Sequence, residues 1–375
     1  VGVYYYPWWG SDFHRGKRPD LYLRSQLQKQ EFPALGEYND TEPDVIGQHL
    51  KWSRKNNIHL WVTSWWGEDR REDLTIKNNI LNHPKLGSQK IAIFYETTGR
   101  IREKDDYNLD NVKPDLKYLC QQYFRNDNYY QKVVSVVDDN GDIQTRSNVP
   151  VFFVYLTRKL ETLGLLNKTV ALMREGASES GCNEIFIVGD QVFQGPPSIT
   201  DNVTDLDLIP FELLDGVTNY DVYGSLRGGK NEGYVGSREK VTQYYQEEQR
   251  KWKNLAQSKG CAFIPGTSPG FNDLGVRPEK NRIPLSRRLN VNAAEGSLFQ
   301  AALQEARTLV DPQLDYLLMV NSFNEWHEDT QIEPVVAVDG SKGLNSQTNL
   351  PTNLTYNLEY EAYGNLYLKI LNEET

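Results

Sequence analysis

Apolar, β-branched and aromatic residues gather along this chain in eight short runs, and a longer amphipathic segment follows each sooner or later. The runs are GVYYY (2–6), IHLWVTSWW (58–66), KIAIFYE (90–96), VPVFFVYL (149–156), EIFIVGD (184–190), LLDGVTNY (213–220), CAFIPG (261–266) and YLLMVNSF (316–323). Runs of this length and composition predict strands. Helical patterns fall at 44–56, 73–82, 112–126, 159–178, 237–258, 297–309 and 359–372, and the pattern is weakest between the fifth and sixth runs. Strand and helix alternating eight times predicts a parallel sheet closed by crossover helices, a (β/α)8 barrel, with residues 1–375 as one domain. KVVSVVDDNGDIQT (132–145) reads as a β-hairpin inserted before the fourth strand, with Asn140-Gly141 as its turn.

Connection lengths orient the barrel. Those leading into strands are short (NN at 56–57, GSQ at 87–89, SGCN at 180–183, SKG at 258–260), and those leaving strands one, six, seven and eight are long. Segments leaving strand C-termini build the functional face of this fold, so chemistry is expected there. The residues at those ends are Tyr5, Tyr6, Trp8 and Trp9; Trp65, Trp66 and Glu68; Tyr95 and Glu96; and Tyr155. Later ends bring Asp190, then Asn219, Tyr220, Asp221 and Tyr223, and finally Glu325, Trp326, His327 and Glu328. A rim residue of this kind is commonly packing under a loop. Rings, carboxylates and amides gathered at one end of the barrel suit a sugar, whose C–H faces stack on rings while its hydroxyls bind polar groups.

Composition removes several partners. A net charge of −10 without a basic stripe excludes a nucleic-acid surface, and no apolar run reaches the roughly 18 residues of a membrane helix. Because Val1 already opens an apolar strand-like segment, any signal peptide is expected to be absent from this sequence. Cys120, Cys182 and Cys261 show no disulfide or zinc spacing and are expected to be packing residues. The sequons at Asn39, Asn167, Asn202 and Asn353 are near chance in an Asn-rich chain.

Glu325 and Glu328 leave the eighth strand three residues apart, and three readings compete for them. With 51 acidic residues in the chain such spacing recurs by chance and usually marks a solvated helical turn. A metal site with His327 is the second reading, although there is no HExxH and no second histidine at ligand spacing. The third is an acid/base pair on a glycosidic bond, one carboxyl kept protonated by its surroundings and the other ionised. GSLRGGKN (224–231) lacks the hydroxyl residue of a phosphate loop and reads as a glycine-rich flap. Nothing resembles a nucleophile elbow.

VYYYPWWG (3–10), SWWG (64–67) with its following EDRRED, PGFND..VRP (269–278) and above all SFNEWHEDTQIEP (322–334) resemble glycoside hydrolase family 99, the endo-α-mannosidases and endo-α-1,2-mannanases. The resemblance runs from the first strand to the eighth. It implies a secreted, periplasmic or cell-surface retaining hydrolase, monomeric and without cofactor, cutting α-mannan or mannose-containing glycans through a 1,2-anhydro sugar. Glu325 matches the base that takes the proton of the sugar 2-hydroxyl, and Glu328 the acid that protonates the leaving oxygen and later activates water. Tyr5 or Tyr6, Trp66, Glu96 and Tyr220 match positions lining the non-reducing side of the cut, and Asn324, Trp326 and His327 flank the pair in the motif.

Two departures from the family pattern stand out. Asp329 occupies a position where glycine is expected, which bears on the pKa of Glu328 and on the turn, and Leu156 replaces an expected acidic residue. Arg277 fits the VRP segment as a loop brace. Two other readings stay open: a barrel that binds glycans without cutting them, and recognition of a sulfated or phosphorylated mannan by Arg70, Arg71, Arg282, Arg287 and Arg288, which otherwise form a salt-bridged rim.

Overall fold

The computed structural model describes residues 1–10, 13, 22–27, 30–103, 106–137, 143–196, 205–226, 233–280, 282–336, 342–343 and 354–375. The strand-forming runs assemble into one parallel sheet. Its strands are β1 (Gly2–Tyr5), β2 (Leu60–Trp65), β3 (Lys90–Tyr95), β4 (Ile143–Val154), β5 (Phe186–Asp190), β6 (Gly216–Thr218), a divided β7 (Ala262–Ile264 and Gly266–Thr267) and β8 (Met319–Val320). Neighbours pair in chain order, and β1 pairs with β8, so the sheet curls into the predicted (β/α)8 barrel.

Pro265 explains the division of β7. It has no N–H for the ladder, so the strand pairs with β6 before the proline and with β8 after it. The backbone still crosses the break, because Met319 N–H donates to Pro265 O at 3.0 Å. Helices cover the outside at Pro43–Lys55, Val112–Leu119, Leu166–Glu179, Arg250–Ser258 and Ser297–Ala306, among others, close to the predicted segments. The weak stretch between β5 and β6 carries a helix at Asp205–Leu213, and the last helix starts at Leu366, later than its pattern suggested.

β1 and β2 are buried along their whole length, as strands of a barrel sheathed by helices must be. Strand alternation sends neighbouring side chains in opposite directions. Tyr4 points inward, its ring 4.7 Å from Phe94 and 4.9 Å from Tyr220. Tyr5 points outward, stacked on Trp61 at 4.3 Å with its hydroxyl 2.9 Å from His49 of the helix Pro43–Lys55. The predicted hairpin is present as Gln131–Val137 antiparallel to the start of β4, which makes hairpin arm and barrel strand one continuous strand; the turn at Asn140-Gly141 lies outside the described residues.

The cysteine expectation needs correcting. Cys120 and Cys182 form a disulfide across 62 residues, tying the end of the 112–124 helical segment to the loop before β5, and only Cys261 is a free buried thiol.

Candidate active site

The segment after β8 is held by its own side chains. Glu325 N–H donates to Ser322 Oγ at 2.9 Å, and Ser322 Oγ lies 2.8 Å from Thr330 Oγ1, so the two hydroxyls close a loop around the carboxylates. Asn324 clamps this loop to β1: its Oδ1 accepts from Tyr6 N–H at 2.8 Å, and its Nδ2 donates to Tyr6 O at 3.0 Å. Trp326 Nε1 donates to Glu333 Oε2 at 2.8 Å, and Glu333 also meets Tyr38 and His49, which anchors the ring in the core. On the far side Asn272 N–H donates to Glu328 O at 2.7 Å.

So fastened, Glu325 and Glu328 face one cavity of about 510 Å³ at the C-terminal end of the barrel. Rings form much of its wall: Tyr6 and Trp8 from the exit of β1, Trp66 from β2, Phe94 from β3, Tyr155 from β4 and Tyr220 from β6. Tyr6 and Tyr220 share a hydroxyl–hydroxyl hydrogen bond. Trp66 Nε1 donates to Ser64 Oγ at 2.9 Å and Ser64 Oγ donates to Glu96 Oε1 at 2.7 Å, which fixes the platform ring and a third carboxyl together. Gly99 lets the Trp66 ring lie flat there, since a Cβ on it would stand 2.3 Å from Trp66 Cε3.

Three carboxyls in one desolvated hollow compete for charge. Burial pushes Glu325 up to about 8, opposed by the His327 N–H, which donates to its Oε1 at 2.9 Å, and by Arg277. Burial likewise raises Glu96 to about 8, against the Ser64 hydrogen bond and with help from Glu325 and Glu328. Glu328 is raised by burial too, but Arg277 Nη1 lies 2.9 Å from its Oε1 and favours its charged form. His327, lowered to about 4 by burial, is neutral near pH 7 and sits 3.2 Å from Glu325 Oε1. Two buried carboxyls, both with raised pKa values, thus face the same hollow. The solvated-turn reading fails because Glu325 is only 2% exposed, and among the described residues no group of three or more potential ligands could hold a metal ion.

The cavity gathers Tyr6, Trp66, Glu96, Tyr220, Glu325, His327 and Glu328 of the sequence-derived site. Three expected residues lie elsewhere. Tyr5 has the wrong strand parity and packs in the helix layer, while Asn324 and Trp326 are buried and spend their polar atoms on the β1 clamp and on Glu333. They support the site from behind. Sequence reasoning passed over Phe94, which the parity of KIAIFYE could have placed inward, and treated Arg277 as a brace where it also lines the cavity.

The departures resolve structurally. Asp329 has φ 51°, a backbone region where glycine is at ease. Burial opposes its charge, yet Arg24 and Arg287 outweigh burial and hold Asp329 below the usual carboxylate range. Arg24 Nε reaches Asp329 Oδ1 at 2.6 Å. Among the other arginines, Arg71 pairs with Asp40, Arg282 with Asp273, and the buried Arg288 with Glu295, Glu359 and Glu361, the arrangement of a salt-bridged rim. Within the glycine-rich stretch Gly224–Leu226 ends a helix begun at Val222, and 227–231 lie outside the described residues.

The sequence profile of Glycosyl hydrolase family 99 matches residues 231–360. Glycoprotein endo-alpha-1,2-mannosidase of Mus musculus is 24% identical over 313 residues, covering 81% of this chain and 56% of that protein. The endo-alpha-1,2-mannosidase-like protein of Homo sapiens is 24% identical over 363 residues, covering 89% of this chain and 68% of its own length. The chain thus spans little more than half of the mouse enzyme. Among solved structures, the family 99 endo-alpha-mannosidase of Bacteroides thetaiotaomicron in complex with bis-tris-propane superposes with a TM-score of 0.59 at 18% identity, over 100% of this chain and 95% of that one.

Proposed function

We propose that this chain is a member of glycoside hydrolase family 99 and an endo-acting α-mannoside hydrolase that cuts α-mannan or mannose-containing glycans with retention of configuration, a reading supported by the profile match over residues 231–360 and by the similarity to endo-alpha-1,2-mannosidases. The observation that carries this reading is the pair Glu325 and Glu328 on one ring-walled cavity, both raised by burial, with Glu328 Oε2 buried and lacking a hydrogen-bond partner among the described residues. An acceptor left bare in such a place costs stability and awaits a ligand donor or a proton.

Arg277 hydrogen-bonds Glu328 directly and so favours its charged form, while burial favours the protonated form of Glu325. A mannose residue reverses this. Its 2-hydroxyl can donate to Glu325 and so favours a carboxylate there, whereas the glycosidic oxygen can only accept and so favours a proton on Glu328. Glu325 then removes the 2-hydroxyl proton as O2 attacks C1, and Glu328 delivers its proton to the departing oxygen. In the second half Glu328 takes a proton from water as it opens the 1,2-anhydro ring at C1, and Glu325 returns its proton to O2. Two inversions at C1 give net retention.

A substrate whose 2-hydroxyl on the cleaved residue is replaced by methoxy tests this route. It is expected to bind without turnover, while its cleavage at a comparable rate would point to a carboxylate nucleophile. Of the two grounds for a barrel that binds glycans without cutting them, Asp329 and an altered subsite, the pairing of Asp329 with Arg24 and Arg287 weakens the first. The disulfide Cys120–Cys182 supports a secreted, periplasmic or cell-surface location, since such bonds persist in oxidising compartments.

A further inference from the structure

A second cavity, of about 380 Å³, opens beside the first at the same end of the barrel. It lies between the segments leaving β3 and β4, and Thr98 lines both hollows. Its surface is mostly carbon, with Ile101, Tyr107, Leu156 and Leu160 in its wall beside Thr97, Thr98, Thr162 and Lys159. Arg158 also lines it, but its charge is spent. Its Nη1 lies 2.6 Å from Asp190 Oδ2, its Nη2 lies 3.5 Å from Asp221 Oδ2, and its guanidinium rests on the Phe193 ring at 4.8 Å. Leu156, at φ 52°, is fixed by its N–H, which donates to Asp190 Oδ2 at 3.1 Å, so the floor of the hollow is tied to the same carboxylate.

A preformed, mostly apolar hollow whose guanidinium is already neutralised, and where Thr97 and Thr162 spend their protons on Tyr155 O and Arg158 O, is poorly suited to a sulfate or phosphate group. It fits a neutral ring with one C–H face and several hydroxyls. Its position adds direction. Because Thr98 lines both hollows, a glycan held in the first can extend into the second, on the side of Trp66 and Glu96 that the family resemblance assigns to the non-reducing end. We propose that this second cavity is a distal saccharide subsite that holds a neutral hexose unit of the substrate, on the non-reducing side of the bond cut. Leu156 and Tyr107 would contact the C–H face, and Thr98, Thr162 and Lys159 the hydroxyls. Thr162 Oγ1 already donates to Arg158 O at 2.8 Å, so it faces the sugar as an acceptor.

The inference rests on the glycan-cleaving reading but is separable from it. The test is kcat/KM across a homologous series of α-linked mannooligosaccharides, lengthened one unit at a time from either end, for the wild type and for Leu156→Asn and Thr162→Met. Asparagine accepts the left-handed backbone at 156 without offering the apolar floor, and methionine at 162 narrows the mouth without adding a stacking ring. The wild type is expected to gain about tenfold when the non-reducing end first reaches the cavity, about 1.4 kcal/mol. In each variant the gain, taken as a ratio to that variant's own shortest substrate, falls below about twofold. A gain of the same size in wild type and variants, or one seen only on lengthening the reducing end, overturns the subsite while leaving cleavage intact. If no member of the series is cut, the cleavage reading fails by itself, and the same ratios read from calorimetric Kd values decide the subsite.

Discussion

Arg277 Nη1 donates to Glu328 Oε1 at 2.9 Å, and the same guanidinium is 3.2 Å from the buried Asp273. The cation thus sits directly on one member of the proposed acid/base pair and lowers the pKa of both. Replacing it disfavours every deprotonated form of the pair, so its two apparent pKa values rise. Arg277→Gln is therefore expected to move both limbs of the kcat/KM profile to higher pH, by about one unit. A profile that drops in height without moving would assign Arg277 to loop bracing alone.

The buried carboxyls also set how stability depends on pH. Glu325 and Glu96 stand at about 8 in the fold against an ordinary 4.5. Between these values the unfolded chain ionises while the folded chain resists, so stability falls as pH rises through that window and levels off above about 8. Glu325→Gln removes one such group. It is expected to stabilise the protein at pH 7.5 by on the order of 1–3 kcal/mol, with the difference fading at pH 4.5. Thermal melts at the two pH values check this; a variant that melts lower at both would contradict the burial account.

Asp329 shows why the family's glycine cannot simply be restored in this chain. Asp329→Gly relieves a left-handed non-glycine residue but removes a carboxylate shared by two buried arginines, leaving Arg24 with Glu31 as its carboxylate partner and Arg287 with backbone carbonyls. Breaking a buried pair from one side costs about 3–5 kcal/mol, more than the 1–3 kcal/mol that backbone relief returns. Net destabilisation with kcat near wild type well below the melting temperature is expected, from denaturant titration and initial rates. A variant as stable as the wild type would show that Arg24 and Arg287 need no carboxylate there.

Reducing the Cys120–Cys182 bond frees a 62-residue loop. Cys182→Ser is expected to lower stability by about 2–4 kcal/mol and leave initial rates unchanged in native conditions, since neither cysteine lines the cavity. Equal melting temperatures with and without reductant would remove the bond from the account.

The barrel was legible because parallel strands buried on both faces are continuous apolar runs, and because the strand-leaving loops are long. The carboxylate pair was legible because it ends such a run. Parity inside VYYY was not, since three tyrosines in a row look alike until Trp61 and His49 claim Tyr5 from outside and Phe94 and Tyr220 meet Tyr4 inside. Three cysteines at wide spacing hide a bond that only the packing of the 112–124 segment against the approach to β5 brings together. The double duty of Arg277 was equally hidden, because its contact with Glu328 spans 51 residues.

The proposal that Glu325 and Glu328 together cleave α-mannosidic bonds is tested by incubating wild type, Glu325→Gln and Glu328→Gln with yeast-type α-mannan and separating the released sugars by chromatography. Short oligosaccharides from the wild type, with release lowered at least about a thousandfold in each correctly folded variant, are the expected result, in line with loss of a group that acts in the transition state. Retention of most activity by either variant, or wild-type protein that binds the mannan and releases nothing, would contradict it.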